Sequence, residues 1–190
     1  MKRGTAHAPR GEARIIGGAW RSRRLVFPAS EDLRPTPDRV RETVFNWLVP
    51  YLPGAACLDL FAGSGAFGFE ALSRGAAHAV LVEKRLEVVA ALRLNRERLK
   101  AEQADIVHAD AVAFLRGPAA AFDIVFLDPP YASGLLATCV ELLDARGWLK
   151  PDALIFLAAP QGEAPPLPAS WRQLRSKTAG QVGYHLARRT

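Results

Sequence analysis

The chain has 190 residues and a net charge of +6 at pH 7, with 49% hydrophobic and 23% charged residues. These values are typical of a soluble globular protein with one substantial core, and no apolar run approaches the roughly 18–20 residues that span a bilayer. The two cysteines lie far apart in apolar stretches and indicate neither a disulfide framework nor a zinc site. We therefore expect a cytoplasmic protein without a bound metal or a membrane partner.

The excess of positive charge lies at the N-terminus. Residues 1–24 hold seven basic groups and one acid, whereas residues 25–190 carry 18 of each sign. A basic arm on a neutral body favours a polyanionic partner, because neutralising phosphates releases counterions; a solvated, disordered tail is the alternative. We expect residues 1–13 to be a flexible basic tail. Residues 14–50 are expected to hold a small basic β-element, with strands at 14–16 and 25–27, followed by a helix.

That helix is predicted within the stretch "LRPTPDRVRETVFNWL". Thr36 is expected to cap it, Pro37 suits its first position, and Asp38 suits the positive end of its dipole. Apolar residues at positions 40, 44, 47 and 48 fall on one face at helical spacing. The pattern predicts an amphipathic helix that packs on the body of the protein.

Residues 51–190 alternate between strand-like and helix-like segments and are expected to form the main domain. Such alternation predicts an α/β fold with a doubly wound parallel sheet. Two β-like runs near 171–178 and 181–188 predict an antiparallel C-terminal hairpin at one edge. The five parallel strands are predicted at "CLDLF", "AVLVE", "DIVHA", "DIVFLD" and "LIFLAA", with helices near 66–74, 85–100, 110–116 and 134–145.

A glycine loop, "DLFAGSGAFGFEAL", follows the first of these strands. Gly63 and Gly65 permit a tight turn and close approach of a ligand at the carboxyl edge of the sheet. With Glu83 at the end of the next strand, the spacing fits NAD as well as S-adenosylmethionine. Asp59 inside the strand favours an amino group or a sulfonium over a pyrophosphate. Asp110, after the third strand, is expected to contact an adenine amine, to cap the next helix, or both.

A stiff corner follows the fourth strand in "VFLDPPYAS". Each proline fixes its backbone, so the corner is preorganised. The Asp128 carboxylate and the Pro129 carbonyl could accept both protons of an exocyclic amine and stabilise the positive charge that develops on its nitrogen. Pro130 keeps the turn rigid, and Tyr131 offers a flat face for an extruded base. A surface turn with a capping aspartate is the alternative.

The chain resembles the bacterial 16S ribosomal RNA guanine-N2 methyltransferase family of the guanine-966 type, over about residues 14–186. The two N-terminal segments of the chain are the most specific for this family, whereas the glycine loop and D-P-P-Y indicate only the reaction class. The resemblance implies a seven-stranded Rossmann-like methyltransferase sheet, S-adenosylmethionine as donor and 16S rRNA as substrate, within an assembled or assembling small subunit. We also expect a monomer. The segments that carry the resemblance are "RIIGGAWRSRRL", "LRPTPDRVRETVFNWL", "LDLFAGSGAFGFEALSRGA", "DPPY" and "AGQVGYHL".

The resemblance also implies roles for individual residues. Asp128, Pro129, Pro130 and Tyr131 would hold the target guanine, and residues 34–42 would cover the active site. For Arg39 and Arg41, internal salt bridges are an equal alternative to RNA contacts. The donor would be bound by Asp59, Phe61, Ala62, Gly63, Ser64, Gly65, Glu83, Asp110 and Ala111. The RNA would be bound by Arg14, Trp20, Arg21, Arg23, Arg24, Arg34, Arg39 and Arg41.

The chain departs from the family pattern at two places. Ser22 stands where a glycine is usual, and Ala158 and Ala159 stand where family members commonly carry an acid.

Other functions share parts of the pattern. A DNA adenine-N6 or cytosine-N4 methyltransferase could use the same loop and corner, a non-catalytic RNA-binding assembly protein could keep the fold, and a dehydrogenase could keep the loop. Binding of S-adenosylmethionine but not NAD would eliminate the dehydrogenase.

Overall fold

The computed structural model describes residues 10–29, 35–130 and 133–190. None of the helices in these ranges combines the length and apolar character needed to cross a membrane. The strands are β1 Arg10–Arg14, β2 Arg24–Pro28, β3 Ala56–Asp59, β4 His78–Glu83, β5 Ala104–His108, β6 Phe122–Leu127, β7 Leu149–Pro160, β8 Trp171–Ala179 and β9 Val182–Arg189. The helices are α1 Asp38–Leu48, α2 Ala66–Ser73, α3 Leu86–Leu99, α4 Ala111–Arg116 and α5 Leu135–Ala145, with a 3₁₀ turn at Val49–Tyr51.

Seven strands form one sheet in the order β5-β4-β3-β6-β7-β9-β8. The first five in this order are parallel, and β9 and β8 are antiparallel additions at the edge. β3 pairs with β4 on one side and β6 on the other, so the strand order reverses there. Ligands of open α/β sheets bind beyond the carboxyl ends of the strands at such a switch point. The predicted doubly wound sheet with its C-terminal hairpin is confirmed.

The core consists of two apolar layers, one on each face of the sheet. Alternate residues of β6 supply both: Ile124 and Phe126 face α1, α2 and α3, whereas Val125 and Leu127 face α4 and α5. Because both faces are covered, the central strands read as nearly continuous apolar runs instead of alternating patterns. Aromatic rings fill the layer under α1, where Phe67 stacks on Phe126 at 5.1 Å between ring centroids.

The N-terminal hairpin of β1 and β2 begins earlier than the sequence predicted. The first strand was expected at 14–16, with the preceding residues in a flexible tail; instead Arg10 pairs with Pro28 and Ala13 with Leu25. Residues 15–23 form the connection, closed by the backbone hydrogen bond from Ile15 to Arg23 at 2.9 Å. The sequence of β1 does not show a strand pattern, because its residues are small or charged. Its partner β2 supplies most of the apolar surface of the hairpin. Residues 1–9 of the predicted tail lie outside the described residues.

Two buried polar side chains fasten this hairpin to the body. Glu70 on α2 accepts hydrogen bonds from the backbone N–H groups of Ile16 and Gly17 at 2.7 and 2.8 Å. Asn95 on α3 accepts from the N–H of Val26 at 3.2 Å and donates to its carbonyl at 2.9 Å. Buried polar groups are costly when unpaired, so these contacts define one docked position. The basic N-terminal element is therefore part of the folded body.

Ser22 has a φ of 68°, in the left-handed region that favours glycine. We expect Ser22→Gly to raise the free energy of unfolding by about 0.5–1 kcal/mol. Glycine adopts a positive φ without steric strain, and this gain exceeds the additional backbone entropy that glycine loses on folding. Urea denaturation would measure the change. Ser176→Gly, in the extended backbone of β8, is the control and should be destabilising. A loss of stability in Ser22→Gly would contradict the prediction.

Candidate active site

The stiff corner that begins at Asp128, here named the acceptor corner, lies at the carboxyl edge of the sheet. Its described residues, Asp128, Pro129 and Pro130, follow directly after β6. Asp128 is partly buried, Pro129 is buried and Pro130 is exposed. The Pro130 carbonyl accepts hydrogen bonds from the backbone N–H and the hydroxyl of Ser133 at 2.9 and 2.6 Å, which closes the turn into α5. Tyr131 lies outside the described residues. Since β3 neighbours β6, the corner stands beside the strand that leads into the glycine loop.

Thr36 contacts the corner instead of capping α1. Its hydroxyl donates to Asp128 Oδ2 at 2.5 Å, across 92 positions of sequence. The residue that caps α1 is Pro37, without a side-chain hydrogen bond, so the predicted Thr36 cap is wrong. The Thr36 hydroxyl is oriented as a donor toward a charged acceptor, which gives a strong hydrogen bond, and not as an acceptor for the N–H groups of the helix start. The segment before α1 therefore lies against the acceptor corner.

The hydroxyl of Thr36 counteracts the effect of burial on Asp128. Burial raises the pKa of Asp128, and the hydrogen bond from Thr36 opposes that rise. We expect Thr36→Val to raise this pKa further and to shift the acid limb of the activity profile to higher pH, since an ionised Asp128 is the better acceptor. The control is Thr43→Val, which removes a hydroxyl that donates to the Arg39 carbonyl within α1. Identical pH profiles for both variants would contradict the prediction.

Asp59 ends β3 and is almost completely buried, with 2% of its surface exposed. Its Oδ2 accepts a hydrogen bond from the N–H of Gly68 at 3.0 Å. Burial is the largest cause that raises the pKa of Asp59 to about 7, and the charges of Asp128 and Glu83 raise it as well. A buried carboxyl with this pKa is well suited to pair with a cation, which would favour the ionised form.

The glycine loop between β3 and α2 is held against the end of β4. Gly63 and Gly65 have φ values of 48° and 79°, both in the left-handed region. A Cβ on Gly65 would come within 2.7 Å of side-chain carbons of Leu92 and Phe69, so the position has no room for one. The N–H of Gly63 donates to Glu83 Oε2 at 3.1 Å. The loop therefore turns tightly between the carboxyl groups of Asp59 and Glu83.

The other residues predicted to bind the donor surround this loop. Asp110 caps α4, accepting from the N–H groups of Val112 and Ala113 at 2.9 and 3.1 Å, and its side chain stays exposed. The capping interpretation is therefore confirmed, and an adenine contact remains compatible with it. Phe61 is half-buried, whereas three small residues of the predicted set are buried: Ala62, Ser64 and Ala111.

The residues predicted to bind RNA differ in exposure. Arg41 is completely buried; its guanidinium donates to the Arg14 carbonyl at 2.8 Å and to Asp38 Oδ1 at 2.5 Å, and lies 3.6 Å from Glu70. Its role is therefore the internal ion pair, and the predicted RNA contact is corrected. Arg34 lies outside the described residues. Trp20 is half-buried, and the exposed members of the set are Arg14, Arg21, Arg23, Arg24 and Arg39.

A cleft of about 350 Å³ lies between the hairpin and the start of α1. It is lined by Arg14 and Arg24 on one side and by Thr36 on the other, so it borders the residue that contacts Asp128. Within the described ranges, no group of three or more His, Cys, Asp or Glu side chains is arranged to hold a metal ion.

Thr36 as a site residue and Glu70 as a framework residue were not predicted from the sequence. Glu70 could have been noticed, because a charged residue inside the apolar run "AFGFEAL" indicates a buried partner. No local signal identifies Thr36, whose partner is distant in sequence.

The sheet, the glycine loop and the curated relatives together define the class of protein, and this chain is a methyltransferase. It belongs to the family described as "Conserved hypothetical protein 95", whose model matches residues 13–188.

Curated relatives and solved structures agree with this assignment. The chain is 49% identical to "Ribosomal RNA small subunit methyltransferase D" of Escherichia coli over 184 residues, covering 96% of this chain and 93% of the relative. It is 44% identical to the Haemophilus influenzae protein of the same name, covering 98% of each. A solved structure from Escherichia coli, 48% identical, superimposes with a TM-score of 0.89 over 94% of this chain and 98% of that one. The resemblance described from the sequence is thus confirmed.

Proposed function

We propose that this protein transfers a methyl group from S-adenosylmethionine to the exocyclic N2 amine of a specific guanine in 16S ribosomal RNA. The observation that carries the proposal is the acceptor corner at Asp128, which stands beside the glycine loop at the switch point of the sheet. The names of the relatives, which describe methyltransferases of small-subunit ribosomal RNA, support the substrate.

The residues around the glycine loop fit S-adenosylmethionine. Asp59 is a buried carboxyl with a raised pKa, suited to a cationic amino group or sulfonium. The tight turn at Gly63 and Gly65 places the loop between the carboxyl groups of Asp59 and Glu83, where a ligand would lie against its backbone. Glu83 would accept hydrogen bonds from ribose hydroxyls, and the exposed Asp110 would accept from an adenine amine. When bound, S-adenosylmethionine supplies an electrophilic methyl group on a positively charged sulfur.

The corner would prepare the guanine amine to react. This amine is a poor nucleophile, because its lone pair is delocalised into the ring. The Asp128 carboxylate and the Pro129 carbonyl would each accept one of its protons, which favours a tetrahedral nitrogen and stabilises its developing positive charge. Thr36 occupies one oxygen of Asp128, so the other oxygen is the one available to the amine. Tyr131 would stack on the base.

The pKa of Asp59 predicts pH-dependent donor binding. Donor affinity is expected to rise as the pH increases from 6 to 8, since the carboxyl ionises around its pKa of about 7 and can then pair with a cation. Calorimetric titration at several pH values would measure this, with Asp59→Asn as the variant that lacks the dependence. Affinity that is independent of pH in the unmodified protein would contradict the prediction.

The same pKa determines how Asp59 contributes to stability. Its folded pKa, about 7, lies above the ordinary value of 3.8. Between these values the folded state binds more protons than the unfolded state, so the contribution to the free energy of unfolding decreases as pH rises through that range.

The proposed function is tested by incubating the protein with labelled S-adenosylmethionine and small ribosomal subunits that lack the modification, followed by digestion of the RNA to nucleosides. Label in N2-methylguanosine at one 16S position is the expected result. Label in another base would keep the reaction class and overturn the target. Comparing intact subunits with free 16S RNA would identify the form of RNA that the enzyme accepts.

A further inference from the structure

The C-terminal hairpin carries a second concentration of positive charge, separate from the N-terminal one. Residues 164–190 contain five basic side chains and no acidic one. Averaged over residues 25–190 this excess disappears, because acids elsewhere in the body balance it. The strands that carry it, β8 and β9, lie at the free edge of the sheet.

The strand register places four of these cations on one face. Directly paired residues of antiparallel strands point to the same side of a sheet. Lys177 pairs with Tyr184, which belongs to the core layer under α1. Arg175 pairs with Leu186 of the same layer, and Arg172 pairs with Arg188, which alternates onto that face of β9. These basic side chains therefore lie on the α1 face of the edge. The basic row, as we name it here, consists of Arg172, Arg175, Lys177 and Arg188.

No carboxylate in the described part of the chain pairs with the basic row. Arg172, Arg175 and Lys177 are exposed, and none of the ion pairs within the described residues includes a member of the row. Arg188 donates to the hydroxyl of Tyr51 at 3.0 Å and lies 5.6 Å from its ring centroid. Tyr51 as a whole residue is 43% exposed. Cations without a described carboxylate partner, next to an accessible aromatic ring, are typical of surfaces that bind nucleic acids.

The basic row leads toward the acceptor corner. Tyr184, the partner of Lys177, also pairs with Ala158 at the carboxyl end of β7. The preceding residue of β7, Leu157, pairs with Leu127, immediately before Asp128. The N-terminal hairpin is fastened to α2 and α3, on the other side of β6 in the sheet. The corner is thus flanked by two separate basic elements.

We propose that the basic row is a second contact surface for the RNA backbone, which holds the strand on the side of the corner opposite the N-terminal hairpin. The inference rests on the proposed function, in that the partner is the RNA that carries the target base. Charge on an edge strand has another established use, since it blocks pairing with a second sheet. The two roles differ in what neutralising the charge would change.

The test compares two triple variants in RNA binding across a range of salt concentrations. Arg172→Gln, Arg175→Gln and Lys177→Gln together neutralise the row. The control neutralises three exposed arginines away from the corner, on α3, at the end of α4 and directly after α5: Arg93→Gln, Arg116→Gln and Arg146→Gln. The probe is 16S RNA, free and in subunits. The row variant is expected to bind at least about tenfold more weakly at 0.1 M salt, with a logarithmic salt slope shallower by about two to three.

Each outcome has a defined meaning. An unchanged salt slope in the row variant, or an equal change in the control, overturns the proposal. Self-association of the row variant in sedimentation with unchanged RNA affinity shows that the charge only protects the edge. S-adenosylmethionine affinity should equal that of the unmodified protein in both variants. If the unmodified protein itself methylates no ribosomal RNA, the proposed function has failed, a result distinct from normal activity with an unchanged slope.

Discussion

Asp128→Ala is expected to reduce methyl transfer by about a hundredfold to a thousandfold, the usual effect of removing one preorganised electrostatic partner from an active site. The side chain would supply one of the two acceptors for the amine protons. Pro129 supplies the other through its backbone, which the substitution leaves in place. Single-turnover rates with saturating donor and RNA would measure the loss directly.

Donor binding should survive Asp128→Ala. The charge of Asp128 raises the pKa of Asp59, so its removal favours the ionised form of Asp59 and should leave donor affinity equal or slightly higher. Asp128→Asn is the matched variant, because it keeps an acceptor oxygen but loses the charge, and an intermediate rate is expected. Unimpaired turnover in Asp128→Ala would show that the corner does not act as an acceptor.

Glu70→Ala is expected to lower the free energy of unfolding by about 3–5 kcal/mol, the cost of leaving a buried charge without its partner. Both Glu70 and Arg41 are fully buried, 3.6 Å apart. The same carboxylate accepts hydrogen bonds from Ile16, Gly17 and Arg74. No other described acidic side chain lies close enough to Arg41 except the half-exposed Asp38. Urea denaturation would give the free energy.

The loss should be largest in the N-terminal hairpin, because Glu70 is one of the groups that dock it. Hydrogen exchange of residues 15–20 is therefore expected to accelerate more than exchange in β6. Glu141→Ala, on the exposed side of α5, is the control and should change stability by less than about 0.5 kcal/mol. Equal stability losses in both variants would contradict the role assigned to Glu70.

Much of the fold could be predicted because its signals are local. The strand ends, the helices near 66–74 and 85–100 and the glycine loop follow from hydrophobic periodicity and from residues with restricted backbones. Parallel strands place their carboxyl ends at one edge, so Asp59 and Asp128 could be expected near each other once the βα alternation was recognised. The roles of these residues toward donor and RNA remain predictions.

The sequence by itself determined the alternation of strands and helices, the stiff corner and the glycine loop, since each depends on residues close together in the chain. Only the tertiary structure decided the partners of Thr36, Arg41 and Glu70. Thr36 had a plausible local role as a helix cap, but its hydroxyl instead donates to a carboxylate 92 residues away. Arg41 had two equal interpretations, which its complete burial resolved. A polar side chain bonds to the best partner within reach in three dimensions, and sequence distance carries no information about that choice.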